Sequence, residues 1–226
     1  MNYRFPLKLY IDCRHFIGRK LKIRRRFPGS AIYWEKRYFY GGNSGCGSYG
    51  KFAEFKAEVL NGFIDRNGVK TVAEFGCGDG NQVSIMKYPQ YVGFDVSETA
   101  IAGCRKLFRH DQSKSFYLLD EYNGQRADLT LSLDVIYHLV EDNVYCRHME
   151  LLFASSDRFV IIYSTDSEEN EGIDGTHVKN RKCTEWVKEN MTNWKLIDHI
   201  TNRYKYNGDW RKGSAAEFFI YEKEKM

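Results

Sequence analysis

Paired cysteines, long apolar runs and clustered histidines are all missing from this chain of 226 residues. The six cysteines are scattered without a C-x-x-C pair, which argues against a zinc site and a disulfide framework and indicates a reducing compartment. No apolar stretch approaches a membrane-spanning length, and charges interrupt the apolar residues near the N-terminus, where a signal peptide would have its core. We therefore expect a soluble cytoplasmic protein.

The histidines are spread along the chain as well. They show no H-x-x-H spacing, so no metal site is predicted. A divalent ion held by Asp134 together with other carboxylates is the alternative. His110, His148 and His199 fall on expected helix or strand faces, and we interpret them as structural.

Positive charge, by contrast, is concentrated in one short segment. The net charge is only +4, yet six cations lie between Arg19 and Arg26, in a first segment that alternates cations with aromatic and aliphatic residues. This pattern fits an anionic partner, such as the inner face of an anionic membrane, or a docking arm. A packed N-terminal helix with a solvated basic face is the interpretation that we prefer. We expect residues 1–50 to form a basic extension and a lid, followed by one α/β domain over residues 51–226.

A glycine-rich stretch from Gly41 to Gly50 follows the aromatic residues Trp34, Tyr38 and Tyr40. So many glycines cannot form the interior of a helix or strand, but the backbone donors and serine hydroxyls of such a loop suit a lid that folds over a ligand. A flexible linker is the alternative. The flanking aromatic residues favour the lid, because a plain linker has no need of them.

The chain is organised around the sequence TVAEFGCGDGN, from Thr71 to Asn81. An apolar run before glycines indicates a buried strand, and the glycines allow a sharp turn and a close approach of the backbone to a ligand before a helix at Gln82. The dinucleotide fingerprint is G-x-G-x-x-G, whereas this loop is G-x-G-x-G with Glu74 two residues before the first glycine. The spacing therefore disfavours NAD.

The second predicted strand, Tyr91 to Asp95, ends in a carboxylate. Ligands of an open parallel sheet bind at the carboxyl ends of its strands, where a carboxylate can accept both hydroxyls of a ribose. We therefore interpret Asp95 as a ribose ligand. The alternative is an N-cap for the helix that starts at Ser97.

Strands and helices alternate after a first helix that runs from Lys51 to Asn67. Strands that alternate with helices of about 10–15 residues predict an α/β fold with a doubly wound, mostly parallel, Rossmann-like sheet of seven strands. The remaining predicted strands are 116–119, 127–133, 158–163, 194–202 and 215–222, and the remaining predicted helices are 82–89, 97–110, 143–154 and 181–189.

The glycine loop, Asp95 and the sequence DVIYHL from Asp134 to Leu139 occur in an order that resembles the class I S-adenosylmethionine (SAM) methyltransferase superfamily over residues 51–222. The resemblance implies SAM as the cofactor, with its amino-acid end near Glu74 and Gly76. It also implies a reversed final strand in the sheet and methyltransferase activity.

Three further segments are similar to a bacterial subgroup that is associated with polysaccharide gene clusters and with modules attached to glycosyltransferases. They are Arg37 to Gly50, Leu133 to Asp142, and Thr176 to Lys182. The subgroup implies O-methylation of a sugar in a bacterial surface glycan or its precursor. It often carries a second histidine where this chain has Asn180, which weakens the transfer of a two-histidine site.

Methylation of a sugar hydroxyl needs a base, because the hydroxyl is a poor nucleophile until its proton is removed, and histidine is the commonest base for this step. The candidates are His138, after the fourth strand, and His177, with Asp134 as the group that would hold the His138 ring in one tautomer. Arg181 would grip an acceptor carboxylate or phosphate. The alternatives are a structural His138, an ordinary loop histidine at 177 and a surface ion pair for Arg181.

The cofactor site is expected to combine the lid, the glycine loop and the ends of the strands. Its predicted residues are Arg37, Gly42, Ser44, Ser48, Glu74, Gly76, Gly78, Asp95, Val96, Ser97, Asp120 and Leu133.

Nucleic-acid acceptors are disfavoured by the segment after the fourth strand. Amino-methylating enzymes carry [N/D]-P-P-[Y/F] there and cytosine-C5 enzymes need a cysteine, whereas this chain has SLDV, from Ser132 to Val135. We therefore expect no nucleic-acid partner. Methylation of another small molecule and a non-catalytic SAM-fold binding protein are the alternatives.

Overall fold

Seven strands form one mixed sheet in the computed structural model, which describes residues 27–171 and 176–224. The strand order is β3-β2-β1-β4-β5-β7-β6, and β7 runs antiparallel to both of its neighbours, whereas β1 to β5 pair in parallel. The predicted fold class and the reversed final strand are confirmed. The strands are β1 (Thr71–Phe75), β2 (Gln90–Asp95), β3 (Lys114–Leu118), β4 (Ala127–Leu133), β5 (Ser156–Ser164), β6 (Trp194–Ile200) and β7 (Glu217–Lys223).

Six α-helices lie within the described residues. The predicted helix up to Pro89 is a single turn, because the chain turns at Ile85 and buries Met86 and Tyr88 in the core. The helices are α1 (Ser30–Phe39), α2 (Gly50–Asn67), α3 (Asn81–Ser84), α4 (Glu98–Leu107), α5 (Asp142–Ala154) and α6 (Cys183–Asn190).

The sheet buries both of its faces, because successive residues of a strand point to opposite sides. Val72 of β1 packs in one apolar cluster with Leu60 of α2, and the next residue, Ala73, packs in a second cluster with Met149 of α5. Helices therefore cover both faces of the sheet but not the ends of its strands.

Helix α1 lies across the edge where the carboxyl ends of β1 to β4 meet. The Ser30 hydroxyl, at its start, donates to Oε2 of Glu141 at 2.6 Å in the loop after β4. In its middle, Glu35 accepts hydrogen bonds from the hydroxyls of Ser97 and Thr99 at 2.6 Å each, at the start of α4 after β2. The helix thus forms a roof over this edge.

The basic segment of residues 1–26 lies outside the described residues, so its membrane contact stays a prediction. It holds nine of the 34 cationic residues and one of the 30 acidic residues, which leaves 25 cationic and 29 acidic residues in the rest of the chain. The positive excess of the protein therefore lies in that segment. Among the described residues, no helix is both long and apolar enough to cross a membrane.

Candidate active site

The glycine loop between β1 and α3 is shaped by its neighbours as well as by its own backbone. Gly76 and Gly78 have φ angles of 93° and 59°, in the region that favours glycine. A Cβ atom at Gly76 would collide with the side chain of Val135, and one at Gly78 would collide with Oγ of Ser44. The loop is therefore pressed between the turn after β4 and the glycine-rich segment.

A cavity of about 1120 Å³ opens at this edge beneath α1. Three acidic residues from neighbouring strands line it: Glu74 on β1, Asp95 at the end of β2 and Asp120 after β3. Trp34 and Tyr38 of α1 line its roof. Small-molecule pockets usually have volumes of about 300–1,000 Å³, so this cavity has room for a cofactor together with part of an acceptor.

Asp95 is held by two backbone donors. Its Oδ2 accepts the N–H of Gly78 at 2.9 Å, and its Oδ1 accepts the N–H of Ser97 at 2.9 Å. Burial raises the pKa of Asp95 above its ordinary value, and these N–H groups oppose that shift. A carboxylate has about four acceptor sites, so about two remain for ligand hydroxyls. The cap of α4 is Ser97 itself, whose Oγ accepts the N–H of Ala100 at 3.1 Å.

Glu74 and Gln82 line the part of the cavity that lies below the glycine loop. The Tyr91 hydroxyl donates to Oε2 of Glu74 at 2.7 Å, and burial raises the pKa of Glu74 to about 7. Gln82 donates through Nε2 to the Ala53 carbonyl, while its buried Oε1 has no partner among the described residues. A buried acceptor without a partner suits a ligand that brings an N–H donor.

His138 lines the same cavity, and the structure fixes its tautomer. Its Nδ1 lies 2.9 Å from the backbone carbonyl oxygen of His177. Because a carbonyl only accepts, Nδ1 carries the proton and Nε2 is left as an acceptor. Burial lowers the pKa of His138 to about 4, so the ring is neutral at physiological pH. The orienting role that we predicted for Asp134 is wrong, since the His177 carbonyl performs it.

The His177 ring lies one layer further from the cavity. It stacks between the rings of Tyr33 and His138, with centroid distances of 4.5 Å and 5.0 Å. His138 lines the cavity and His177 does not. His177 therefore supports His138 through its backbone carbonyl and its stacked ring.

Asp134 is paired with a lysine that the sequence analysis missed. Nζ of Lys56 lies 2.6 Å from its Oδ2, and the Tyr137 hydroxyl donates to its Oδ1 at 2.7 Å. Both carboxylate oxygens are thus engaged, and the described residues contain no group of three or more potential metal ligands. Lys56 shares the buried face of α2 with Phe52 and Leu60, and a lysine on that face was the available signal.

Arg181 braces the loop after β4. It donates to the carbonyl oxygens of Leu139 and Val140 at 2.8 Å and 3.0 Å, and it pairs with Asp142 at 2.7 Å. Its guanidinium also lies over the ring of Tyr145, 4.5 Å from the centroid. This arrangement matches the ion-pair alternative, and the contact with an acceptor stays a prediction.

The chain was compared with known proteins. No family model matches it. Over 177 residues it is 25% identical to the small RNA 2'-O-methyltransferase of Mus musculus, a match that covers 66% of this chain and 42% of that protein. The chain thus spans less than half of the length of this curated relative.

Two solved structures show the likeness in three dimensions. The N-methyltransferase NodS from Bradyrhizobium japonicum WM9, in complex with S-adenosyl-L-homocysteine, has a TM-score of 0.61 at 10% identity, covering 87% of this chain and 100% of NodS. The methyltransferase domain of the bacterial protein CtHen1-C has a TM-score of 0.58 at 16% identity, covering 75% of this chain and 97% of that domain. This chain has the class I SAM methyltransferase fold. The ligand in the NodS structure agrees with the predicted cofactor class.

Most of the predicted cofactor residues lie where this methyltransferase fold places its cavity. Arg37, Gly42 and Ser97 lie behind the lining: Arg37 donates to the Asn43 carbonyl at 2.6 Å, and the Ser97 hydroxyl binds Glu35. Catalytic candidates Asp134 and His138 line the cavity too. The predicted cofactor residues that line it are Ser44, Ser48, Glu74, Gly76, Gly78, Asp95, Val96, Asp120 and Leu133.

The glycine-rich segment is hydrogen-bonded to the glycine loop of the methyltransferase fold. The Ser44 N–H donates to Oδ2 of Asp79 at 2.8 Å, and the Asp79 N–H donates to Oγ of Ser44 at 3.1 Å. The Tyr49 hydroxyl donates to the same Asp79 oxygen at 2.8 Å. The segment therefore contacts the glycine loop directly, and its role as a lid stays a prediction.

We expect Asp79→Ala to increase hydrogen exchange across residues 41–50, because it removes the acceptor of two hydrogen bonds from this segment. Hydrogen exchange followed by mass spectrometry, with and without SAM, measures this. Asp111→Ala is the control, because the Asp111 carboxylate also accepts two hydrogen bonds from Ser113 before β3. Added SAM should slow exchange in the parent protein, because ligand contacts offset the entropy lost on ordering the segment. Exchange in the parent that is unaffected by SAM would favour the linker.

His148 gives the protein an acid-sensitive core. It is buried on α5, its Nε2 lies 2.9 Å from Oγ of Ser132, and burial lowers its pKa to about 4. His148 therefore binds a proton near pH 6.5 in the unfolded chain but only near pH 4 in the folded protein. The free energy of unfolding consequently falls as the pH drops from about 6.5 towards 4. Each buried histidine of this kind contributes at most about 1.4 kcal/mol per pH unit.

We expect His148→Gln to flatten this dependence. Urea unfolding near pH 7.5 and pH 5 should show a smaller loss in the free energy of unfolding than in the parent, by roughly 1–2 kcal/mol. His110→Gln, at an exposed position, is the control and should follow the parent. An identical pH dependence in the parent and His148→Gln would contradict the assignment.

Proposed function

We propose that this protein is a SAM-dependent methyltransferase that methylates a hydroxyl group of a sugar. The observation that carries the proposal is the cavity itself, which is lined by carboxylates from three strands and by a histidine whose Nε2 is left as an acceptor. The SAM side of the proposal is supported by the fold and by the ligand of NodS.

The residues of the cavity fit three parts of SAM: its ribose, its amino-acid end and its adenine. Asp95 has carboxylate lone pairs left for the ribose hydroxyls. Gln82, with its orphaned Oε1, and Glu74 would hold the amino-acid end through its ammonium group. Asp120, after β3, would accept a hydrogen bond from the adenine amino group. When bound, SAM supplies a methyl group that is already activated by its sulfonium.

His138 is the proposed general base. When the acceptor oxygen receives the methyl group and the carbon–sulfur bond of the sulfonium breaks, His138 would take up the hydroxyl proton at Nε2, and its ring would become an imidazolium. The His177 carbonyl keeps Nδ1 protonated, so the proton can enter only at Nε2. Trp34 packs edge-on against the His138 ring at 4.9 Å and helps α1 to exclude water.

Two kinds of sugar are candidates for the methyl acceptor. A surface glycan is the acceptor that the bacterial subgroup implies. The 2'-hydroxyl of RNA is the second candidate, favoured by the likeness to the mouse small RNA 2'-O-methyltransferase. That likeness conflicts with our expectation that nucleic acid is no partner. Both acceptors place the same demand on the site, which is proton removal from a sugar hydroxyl.

The test is incubation of the full chain with radiolabelled SAM and matched panels of bacterial glycans, free sugars, RNA, DNA and proteins. Label in a glycan or sugar supports the first acceptor, and label in RNA that is lost after removal of the 2'-hydroxyl supports the second. Label confined to protein or DNA would refute methylation of a sugar hydroxyl on either account. Isothermal titration with SAM followed by the turnover assay separates the two remaining cases, because a non-catalytic SAM-binding protein binds SAM and transfers no label.

A further inference from the structure

A buried lysine lies below the turn that carries His138. Lys56 of α2 is 0% exposed, its Nζ is 2.6 Å from Oδ2 of Asp134, and it lies over the ring of Tyr163, 5.2 Å from the centroid. Lys56 and Asp134 both line the cavity. An ammonium group is almost never fully buried unless it is paired, and Asp134 supplies the negative charge that pairs with this one.

Asp134 has an unusual backbone conformation. Its φ of 60° is the one positive value among the non-glycine residues that the structure describes. The left-handed region costs an L-residue roughly 1–2 kcal/mol, although Asp and Asn tolerate it better than most. Lys56 holds one carboxylate oxygen and the Tyr137 hydroxyl holds the other, while a Cβ on Gly47 would come within 2.7 Å of Oδ2. Contacts from three segments therefore hold Asp134 in this conformation.

The turn that starts at Asp134 leads directly to the proposed base. The N–H of His138 donates to the Val135 carbonyl at 2.7 Å, which closes the turn, and Val135 also presses against Gly76 of the glycine loop. A shift of Asp134 would therefore move both the His138 ring and the wall of the cofactor cavity.

We propose that Lys56 is a positioning residue: its buried ammonium holds Asp134 in the left-handed turn that presents His138 to the cavity. The inference rests on the proposed function, in which His138 is the base. It assigns Lys56 a part in the methyl transfer that goes beyond stabilising the fold.

The test compares Lys56→Met with the double variant Lys56→Met/Asp134→Asn. Lys56→Met leaves a buried carboxylate without its counter-charge, so it loses stability. The double variant removes both charges and keeps a residue that tolerates the left-handed turn, so its urea midpoint should recover. Lys114→Met is the matched control, because Lys114 is a poorly exposed lysine paired with Asp111 at the far edge of the sheet.

The deciding readout is the His138 imidazole in long-range ¹H–¹⁵N spectra of the full chain, assigned with His138→Gln. The parent and Lys114→Met should show Nδ1 protonated, whereas the double variant should show altered His138 signals despite its restored stability. Its kcat should fall about 10- to 100-fold, as expected for a misplaced catalytic group, and its SAM affinity should change less, because Glu74 and Asp95, the proposed SAM ligands, lie on other strands.

Parent-like His138 signals and a parent-like kcat in the stable double variant would overturn the proposal, because Lys56 would then act on stability alone. A parent protein that methylates no acceptor would refute the proposed function instead. The imidazole spectra would still decide whether Lys56 positions His138.

Discussion

His138→Gln should lose about 10²–10⁴-fold in kcat, which is the usual contribution of a general base, while its affinity for SAM stays that of the parent. Glutamine keeps an amide that can donate to the His177 carbonyl, but it has no nitrogen that can accept a proton. The change therefore removes the nitrogen that accepts the proton but keeps a side chain that can donate a hydrogen bond to the His177 carbonyl. Single-turnover rates with the acceptor identified in the panel, together with isothermal titration of SAM, measure the two effects separately.

The pH dependence of the parent gives a second check on the same residue. The pKa of about 4 for His138 places the acid limb of kcat/KM well below that of an ordinary histidine, because the base stays unprotonated down to that pH. His199→Gln is the control, since His199 pairs with Glu217 on strands away from the cavity. Full activity in His138→Gln would remove this residue as the base.

Asp95→Asn should weaken SAM binding by about 10- to 100-fold, because a charge-assisted contact with the ribose contributes about 1.5–3 kcal/mol. The amide keeps an acceptor oxygen for one of the two N–H groups of Gly78 and Ser97, whereas Asp95→Ala removes both acceptors, so Asp95→Asn is the gentler change on folding. Isothermal titration gives the dissociation constant, and urea unfolding verifies the fold.

Asp128→Asn is the matched control for this prediction. The Asp128 carboxylate also accepts two backbone N–H groups, from Lys70 and Thr71 at 2.7 Å and 3.3 Å, but at the opposite edge of the sheet. Its substitution should leave SAM affinity unchanged. An Asp95→Asn protein that is folded and binds SAM as tightly as the parent would show that the ribose is held elsewhere.

The sequence predicted the sheet well because its strands and helices are amphipathic or apolar segments bounded by glycine, a signal that burial produces directly. It also predicted that Glu74 and Asp95 share one site, since each has a local signal: Glu74 precedes the glycine loop, and Asp95 ends the second strand. The contacts that the sequence did not predict join polar groups that lie far apart along the chain. The partner of His138 is the carbonyl of His177, 39 residues away, and a backbone carbonyl leaves no mark in a sequence.

Lys56 was missed for a related reason. A single cation on the apolar face of a helix stands out only when one asks what it pairs with, and its partner Asp134 lies 78 residues further along the chain. The contact of Ser44 with Asp79 has the same character, because the glycine-rich stretch predicted an adaptable loop without specifying where it binds. Long-range pairing of polar groups is therefore the part of this site that required the structure.

The roof helix α1 links events that occur at different loops. It is bonded through Ser30 to the loop after β4 and through Glu35 to the start of α4, and the segment that follows it is bonded to the glycine loop through Ser44. Displacement of α1 at one of these attachments would strain the other two, so we expect the loop after β4, the start of α4 and the glycine loop to open together. In the proposed methyltransferase, this opening would limit the rate of cofactor exchange and product release, on the microsecond-to-millisecond timescale typical of lids.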